Sequence, residues 1–421
     1  MKKIKVALLG LGTVGGGTYR ILKSQHDSIK EKYGVDIEVA HILEKDLTKA
    51  EALGIDKSIV STDINNVINN DEISIVAEFF GGIEPARTFL IKSLEAGKSI
   101  VTANKELFSK HWTELEAAAK KGNAGLYFEA SCVGGVPIIR TLEEGMQAND
   151  IQSLKGIING TTNYILTKMS EEGESYENAL KEAQRLGYAE FNPTADVEGF
   201  DASYKLSILS TLAYNKHITV QNVHREGISN IKKEDIAYGK ELGFTLKLLA
   251  ISKNDNGKYE ARVHPTFIPN THPLASVRGS FNAVFVVGNN VGDIMLYGRG
   301  AGDLPTGSAI VSDIVYAATK KEVRRYPQLE DENVVYEDNF KSEYYIRMTA
   351  KNQSGVLAEI TKIFAKYNVS VTTVLQKEGK EFVPLIFVTE LNNEKSVMGA
   401  IDELKQLESV VLIDNVIRVE R

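Results

Sequence analysis

One short stretch constrains this chain more than any other. An apolar, β-branched run, Ile4–Leu9, stops at Gly10, and Gly10-Leu11-Gly12-Thr13-Val14-Gly15 leads into a helical stretch reaching about Lys32. A strand that breaks into G-x-G-x-x-G and then a helix opens a βαβ unit. Glycines at this spacing are common in turns, so it is the context that carries the reading. Gly10 permits the tight turn, Gly12 lets a pyrophosphate approach the backbone, and Gly15 allows helix and strand to pack closely. The helix N-terminus presents free N–H groups and a partial positive charge to phosphates. Gly10, Leu11, Gly12, Thr13, Val14 and Gly15 are therefore expected to form a dinucleotide-binding loop.

Four more strands are expected at Val35–Leu43, Ile73–Phe79, Ser99–Val101 and Gly125–Phe128, with helices such as Pro85–Ala96 and Trp112–Lys121 between them. That alternation predicts an α/β fold with a doubly wound parallel sheet of the Rossmann type over residues 1–130. Glu44, at the end of the second strand, is placed to bond ribose hydroxyls, which favours NAD. Lys45 and Lys49 beside it can meet a 2′-phosphate, which favours NADP. The balance leans to NADP, with NAD tolerated. Lys105 follows the fourth strand in Thr102-Ala103-Asn104-Lys105, at a carboxyl end where such sheets bind ligands.

Residues 131–319 have a different texture, an α+β pattern with helices over Ser175–Leu186, Ser203–Tyr214 and about Ser308–Thr319, and strands at Ala283–Val287 and Asp293–Tyr297. The densest chemistry runs from Gly187 to Lys205 and contains Glu190, Asp196, Glu198, Asp201 and Lys205 around Asn192-Pro193. Asp201 and Lys205 stand four apart and share a helix face if both are helical. Asp201 can equally be an N-cap, with the pair a plain surface contact. The apolar continuation Leu206–Leu209 argues for a partly desolvated lysine, usable as a proton carrier. Two lysines converging on one site would depress each other's protonated form and favour an alkoxide during hydride transfer. The seven histidines show no zinc spacing, and Trp112 and Cys132 read as core.

The rest of the 421 residues forms a polar linker, 320–341, with Lys320-Lys321, Arg324-Arg325 and an acidic run at Glu330–Glu332, then a βαββαβ ferredoxin-like module over 342–421. Composition fits a soluble multidomain protein, with 43% apolar and 25% charged residues. A formal net charge of −7 argues against nucleic-acid binding. One cysteine excludes an intrachain disulfide framework and suits a cytoplasmic compartment. Lys5 interrupts the apolar start, so it does not read as a signal peptide, and no run of ~18 apolar residues predicts a membrane span.

The run Ala183-x-x-x-Gly187-Tyr188-Ala189-Glu190-x-Asn192-Pro193-x-x-Asp196-Val197-x-Gly199-x-Asp201-x-x-x-Lys205 resembles the signature of the homoserine dehydrogenase family. Gly10–Gly15, Thr102–Lys105, Glu129-Ala130-Ser131 and Gly300-Ala301-Gly302-Asp303-x-Pro305-Thr306 resemble that family in the same order, across essentially the whole chain. The resemblance implies interconversion of L-homoserine and L-aspartate 4-semialdehyde, in threonine, methionine and isoleucine synthesis. It implies that Lys205 is the general acid/base, that Lys105 lies between cofactor and substrate, and that Glu190 and Asp196 hold the substrate. It implies that Asp201 orients Lys205 and that Gly302 lies near the cofactor. It also implies a monovalent cation, typically sodium, on main-chain oxygens of Glu129, Cys132, Gly134 and Val136; Cys132 stands where a valine is usual, a change a backbone ligand survives. A homodimer is implied, with tetramers possible through a C-terminal regulatory module of the ACT type. That module's first turn often reads Asp-x-Pro-Gly-Val-Leu, and here it is Asn352-Gln353-Ser354-Gly355-Val356-Leu357. Loss of the Asp and Pro weighs against amino-acid binding there, and so against threonine feedback. The competing function is an amino-acid-sensing, nucleotide-binding regulatory protein with a degenerate site; the intact lysines and carboxylates count against it.

Overall fold

The computed structural model describes residues 2–326, 329 and 333–421. The N-terminal strand β1 (Lys2–Leu9) is the centre of a fully parallel sheet with β2 (Val35–Leu43), β3 (Val60–Ser61), β4 (Ile73–Glu78), β5 (Ser99–Thr102) and β6 (Leu126–Tyr127), in the order β3-β2-β1-β4-β5-β6. This is the doubly wound order, reversing direction beside β1, where ligands bind. It has one strand more than the sequence suggests: Val60–Ser61 is too short to show a period of its own. The first helical stretch is two helices, α1 (Thr13–Ser24) and α2 (His26–Tyr33), because Gln25 leaves helical geometry. Two short helices, α3 (Leu47–Ala52) and α4 (Asn65–Ile68), precede α5 (Ala86–Glu95) and α6 (Lys105–Gly122), which cover the sheet. Trp112 and Cys132 are buried, as their surroundings predict.

The second region adds α7 (Ile138–Arg140), β7 (Ile151–Ile157), α8 (Gly160–Glu172), α9 (Tyr176–Arg185), α10 (Thr194–Val197) and α11 (Phe200–Tyr214). After β8 (His224–Arg225) and α12 (Lys233–Glu241) comes a long hairpin, β9 (Phe244–Asp255) and β10 (Lys258–Pro269), then β11 (Phe281–Gly288) and β12 (Gly292–Arg299). Helix α13 spans Asp303–Thr319, starting five residues before the Ser308 expected, because Pro305 sits in its first turn, where proline is tolerated. Its buried face, including Ile310 and Ile314, joins the core of the parallel sheet with Val6 and Leu8.

The third region is β14 (Lys341–Lys351), α14 (Val356–Lys366), β15 (Val371–Gln376), β16 (Phe382–Thr389), α15 (Glu394–Leu404) and β18 (Val410–Val419), the expected βαββαβ order; the short strand β13 (Val335–Tyr336) pairs with β10 of the second region, and β17 (Asn392–Asn393) with β14. The second sheet runs β12-β11-β7-β9-β10-β18-β14-β16-β15 and continues from the second region into the third. The junction is parallel, Thr266 opposite Arg418 and Phe267 opposite Val419. Buried ion pairs fasten it: Glu420 meets Lys253 at 2.6 Å and Arg262 at 3.0 Å, and Arg347 meets Asp235 of α12 at 2.6 Å. In the polar stretch between the regions, Arg324 pairs with Glu143 and Glu144, and Arg325 with Glu116. The acidic run Glu330–Glu332 lies outside the described residues. Among the described residues no helix is long and apolar enough to cross a membrane.

Candidate active site

Between the two sheets lies a cleft of about 760 Å³ that brings Thr13 and Val14 of the glycine loop together with Lys105, Glu190, Asp196, Asp201, Lys205 and Gly302. On one side the wall is backbone. Gly10 adopts φ +106°, and a Cβ on Gly15 would fall 2.2 Å from the Gly10 carbonyl oxygen, so the close approach of helix to strand requires glycine there. Gly12 is the N-cap of α1 with no side-chain cap bond, and open space surrounds the position a Cβ would take. The first-turn N–H groups of α1 therefore stay available to an anion.

Glu44 closes this loop from behind. Its carboxylate accepts hydrogen bonds from Leu11 N at 2.7 Å, Lys45 N at 2.9 Å and Asp46 N at 3.0 Å. Burial opposes the charge, but these backbone donors and nearby Lys49 hold the carboxyl below its usual range. Lys45 is exposed beside it.

The other wall is charge. Helix α11 is buried on nearly every side, so Asp201 and Lys205 are carried into the interior rather than across a surface. Gly199, at φ +77°, is the N-cap of α11; Asp201 lies inside the first turn and is not the cap. Its Oδ2 accepts from Lys205 Nζ at 2.6 Å and from Asn159 Nδ2 at 2.9 Å, and its Oδ1 lies 3.2 Å from Lys105 Nζ. Lys205 Nζ also donates to the Ile158 carbonyl at 2.9 Å. The two lysines do converge, but with a carboxylate between them. The mutual depression expected of adjacent ammoniums is overturned at Lys105, which the Asp201 charge raises above the usual lysine range. Asp201 is the counterpart: burial alone would raise it, yet Lys205 and Lys105 hold it well below the carboxylate range. Asp196 is raised, first by burial and then by the Asp201 charge. Glu190 is exposed at the rim of the cleft.

The segment expected to offer main-chain ligands lies against the glycine-rich turn before α13. Gly135 N donates to the Arg299 carbonyl at 3.0 Å. The Glu129 carboxylate is occupied, accepting from Ile139 N and Arg140 N at 2.8 Å each, and burial beside Asp313 pushes it up to about 7. Main-chain oxygens of Glu129 and Val136 accept from Cys132 N and Ile138 N, whereas those of Cys132 and Gly134 have no protein donor among the described residues. Both residues are buried, and buried carbonyls without donors are uncommon. Between them Val133, a β-branched residue, is held at φ +56°. Burial pushes the Cys132 thiol up to about 12, so it is no thiolate ligand. No cluster of three or more metal-ligating side chains occurs among the described residues.

The cleft also holds residues the sequence reading passed over: Asn159, Gly160 and Thr161 at the start of α8, Tyr204, Ser280 and Arg299. Asn159-Gly160-Thr161-Thr162 after an apolar strand is a legible N-cap signal. Nothing in the sequence says which helix faces the site.

A Rossmann sheet whose glycine loop opens onto paired lysines and carboxylates places the chain among dinucleotide-binding oxidoreductases. Family models described as "Homoserine dehydrogenase, NAD binding domain", "Homoserine dehydrogenase" and "ACT domain" match residues 10–129, 137–315 and 344–409. The chain is 40% identical to the homoserine dehydrogenase of Bacillus subtilis, over 100% of its own length and 99% of the relative's. A crystal structure of a homoserine dehydrogenase from Thiobacillus denitrificans matches with a TM-score of 0.94 and 41% identity, covering 100% of this chain and 99% of that one. A hyperthermophilic archaeal homoserine dehydrogenase solved in complex with NADPH matches at 0.65 and 28% identity, covering 77% of this chain and 100% of that one. The chain belongs to the homoserine dehydrogenase family. Full-length similarity to named enzymes supports the oxidoreductase over the sensing protein with a degenerate site.

Proposed function

We propose that the cleft interconverts L-homoserine and L-aspartate 4-semialdehyde with NADP(H), with Lys205 as the acid/base, in the synthesis of threonine, methionine and isoleucine. The observation that carries this is Asp201, bonded at once to Lys205 and Lys105 in the cleft that Thr13 and Val14 also line. In the reducing direction Lys205 Nζ donates a proton to the carbonyl oxygen as that carbon receives a hydride; in the oxidising direction it takes the proton from the homoserine hydroxyl. The bound nicotinamide supplies or accepts the hydride. Asp201 orients Lys205. Lys105 stands between cofactor and substrate and adds positive field where an alkoxide develops. Glu190 and Asp196 hold the substrate ammonium, and Gly302 lines the nicotinamide end. The Gly10–Gly15 backbone holds the pyrophosphate.

Glu44 and Lys45 choose between cofactors. Three backbone donors already occupy the Glu44 carboxylate, while Lys45 is exposed, which supports the lean to NADP; the archaeal relative's NADPH complex agrees with it. A monovalent cation, as sodium, would be held by main-chain oxygens of Glu129, Cys132, Gly134 and Val136, which would give the donorless carbonyls a partner and fix the turn under the cleft. Residues 1–130 serve as the nucleotide module, 131–319 as the catalytic and dimerisation module, 320–341 as the linker and 342–421 as the regulatory module of a cytoplasmic homodimer. Absorbance at 340 nm with L-homoserine and either cofactor tests the reading. Turnover with a lower Michaelis constant for NADP is expected. No turnover with homoserine would refute the activity, and a strong NAD preference would refute the cofactor choice.

A further inference from the structure

Asn159, directly after β7, makes more contacts in the cleft than its place in the sequence announces. Its Oδ1 accepts from Thr162 N at 2.9 Å and so caps α8. Its Nδ2 donates to Asp196 Oδ1 at 2.7 Å and to Asp201 Oδ2 at 2.9 Å. An amide nitrogen has two hydrogens, and here each goes to a different carboxylate. The cap fixes the amide's orientation, so the fork cannot turn away without leaving a helix N–H unpaired. Lys105 and Lys205 both pair with Asp201, whereas Asp196 makes no ion pair among the described residues. Two neighbouring anions repel, and a neutral donor reaching both is what lets them stand together.

We propose that Asn159 is a positioning residue of the reaction: its amide holds Asp196 and Asp201 side by side, one free for the substrate ammonium and the other turned to Lys205. This rests on the roles given above to those three residues. Asp196, in α10, faces Asp201 and Lys205 of α11, Lys105 at the start of α6 and Thr161 of α8, and shares the cleft with Glu190 of the loop before α10. Burial and the Asp201 charge raise its carboxyl, while the Asn159 donor and the Lys205 charge act in the opposite sense. Removing the Asn159 donor therefore lets Asp196 take up a proton at higher pH, and the acid limb of kcat/KM for homoserine moves upward.

The test separates the fork from the cap. Serine is as good an N-cap as asparagine but offers a single donor. N159S is expected to hold a higher Tm than N159A because the cap survives, to raise KM for homoserine by about tenfold, and to leave KM for NADP unchanged. Its kcat/KM acid limb should move up by about half a pH unit or more. N159A should show the same kinetic changes with a lower Tm as well, because the cap is lost. Wild-type KM and pH profile in N159S, with the larger Tm loss in N159A, would leave Asn159 only its cap and overturn the proposal. A parallel K205A enzyme tells the two readings apart: if it turns over normally, the assignment of the site falls and this proposal with it. If it is inactive while N159S behaves as wild type, the positioning role alone is refuted.

Discussion

Two buried carboxylates, Glu78 in the parallel sheet and Asp201 in the cleft, are shifted in opposite directions from the usual carboxylate range. Glu78 ends β4 behind the nucleotide loop, accepts hydrogen bonds from Phe80 N and the Thr102 hydroxyl at 2.5 Å each, and pairs with no lysine or arginine among the described residues. Burial pushes it up to about 7. Asp201 is buried as well, yet two ammoniums hold it well below the usual range. The nucleotide side is shaped by backbone and glycine, with the Glu44 carboxylate held by backbone donors; the other side is a cluster of charges that, on the function proposed, works as a set. Damage to the first should be steric and felt in cofactor affinity. Damage to the second should be electrostatic and felt in turnover.

Gly15→Ala probes the first side hardest. A Cβ 2.2 Å from the Gly10 oxygen forces α1 away from β1, and NADPH affinity by fluorescence titration should fall on the order of a hundredfold or more. An affinity within about threefold of wild type would break the contrast. Asp201→Asn removes the anion between Lys105 and Lys205, and kcat should fall roughly a hundredfold. Tm should drop too, because the buried Lys205 ammonium loses its counter-charge and is left facing the half-exposed Lys105; wild-type turnover would show that the cluster is not a set.

Glu78→Gln sharpens the comparison through pH. Folding raises the Glu78 carboxyl from 4.5 to about 7, so the folded state binds the extra proton between those values. Its stabilising contribution is therefore fullest below 4.5, declines as pH rises to about 7 and is constant above. The swing is on the order of 3 kcal/mol, and E78Q should show a shallower loss of unfolding free energy between pH 4.5 and about 7 in denaturant titrations. An unchanged slope would place the titration elsewhere. The smallest effect is expected for Lys45→Ala, a severalfold rise in KM for NADP with KM for NAD unchanged, since an exposed cation is worth little. Equal changes for both cofactors would remove Lys45 from the choice.

The two sides also differ in how far they could be read from residues alone. Ile4–Gly15 is local: strand, loop and helix follow one another, so both the module and its ligand class were legible. Its close packing on α13 was not, although Gly17, where a Cβ would lie 2.4 Å from the Asp303 oxygen, is the residue that permits it. The third region was legible nearly to the residue because its amphipathic helices alternate with apolar strands. The β9–β10 hairpin, central to the second sheet, was passed over despite Asn256-Gly257, whose φ values of +52° and +88° suit a tight hairpin turn. On the substrate side, Asp201 and Lys205 were legible at four-residue spacing, but Lys105 and Asn159 reach them from α6 and from the end of β7. Spacing along a chain does not show that three segments meet at one carboxylate, and so the sign of the Lys105 shift was missed.

The central claim is that Lys205 carries the proton while the nucleotide side works without it. Turnover and NADPH affinity of Lys205→Ala, measured on the same preparation, test this most directly. The account predicts a fall in kcat of about a thousandfold with an NADPH dissociation constant within about twofold of wild type. A kcat within about tenfold of wild type, or a loss confined to NADPH binding, would contradict it.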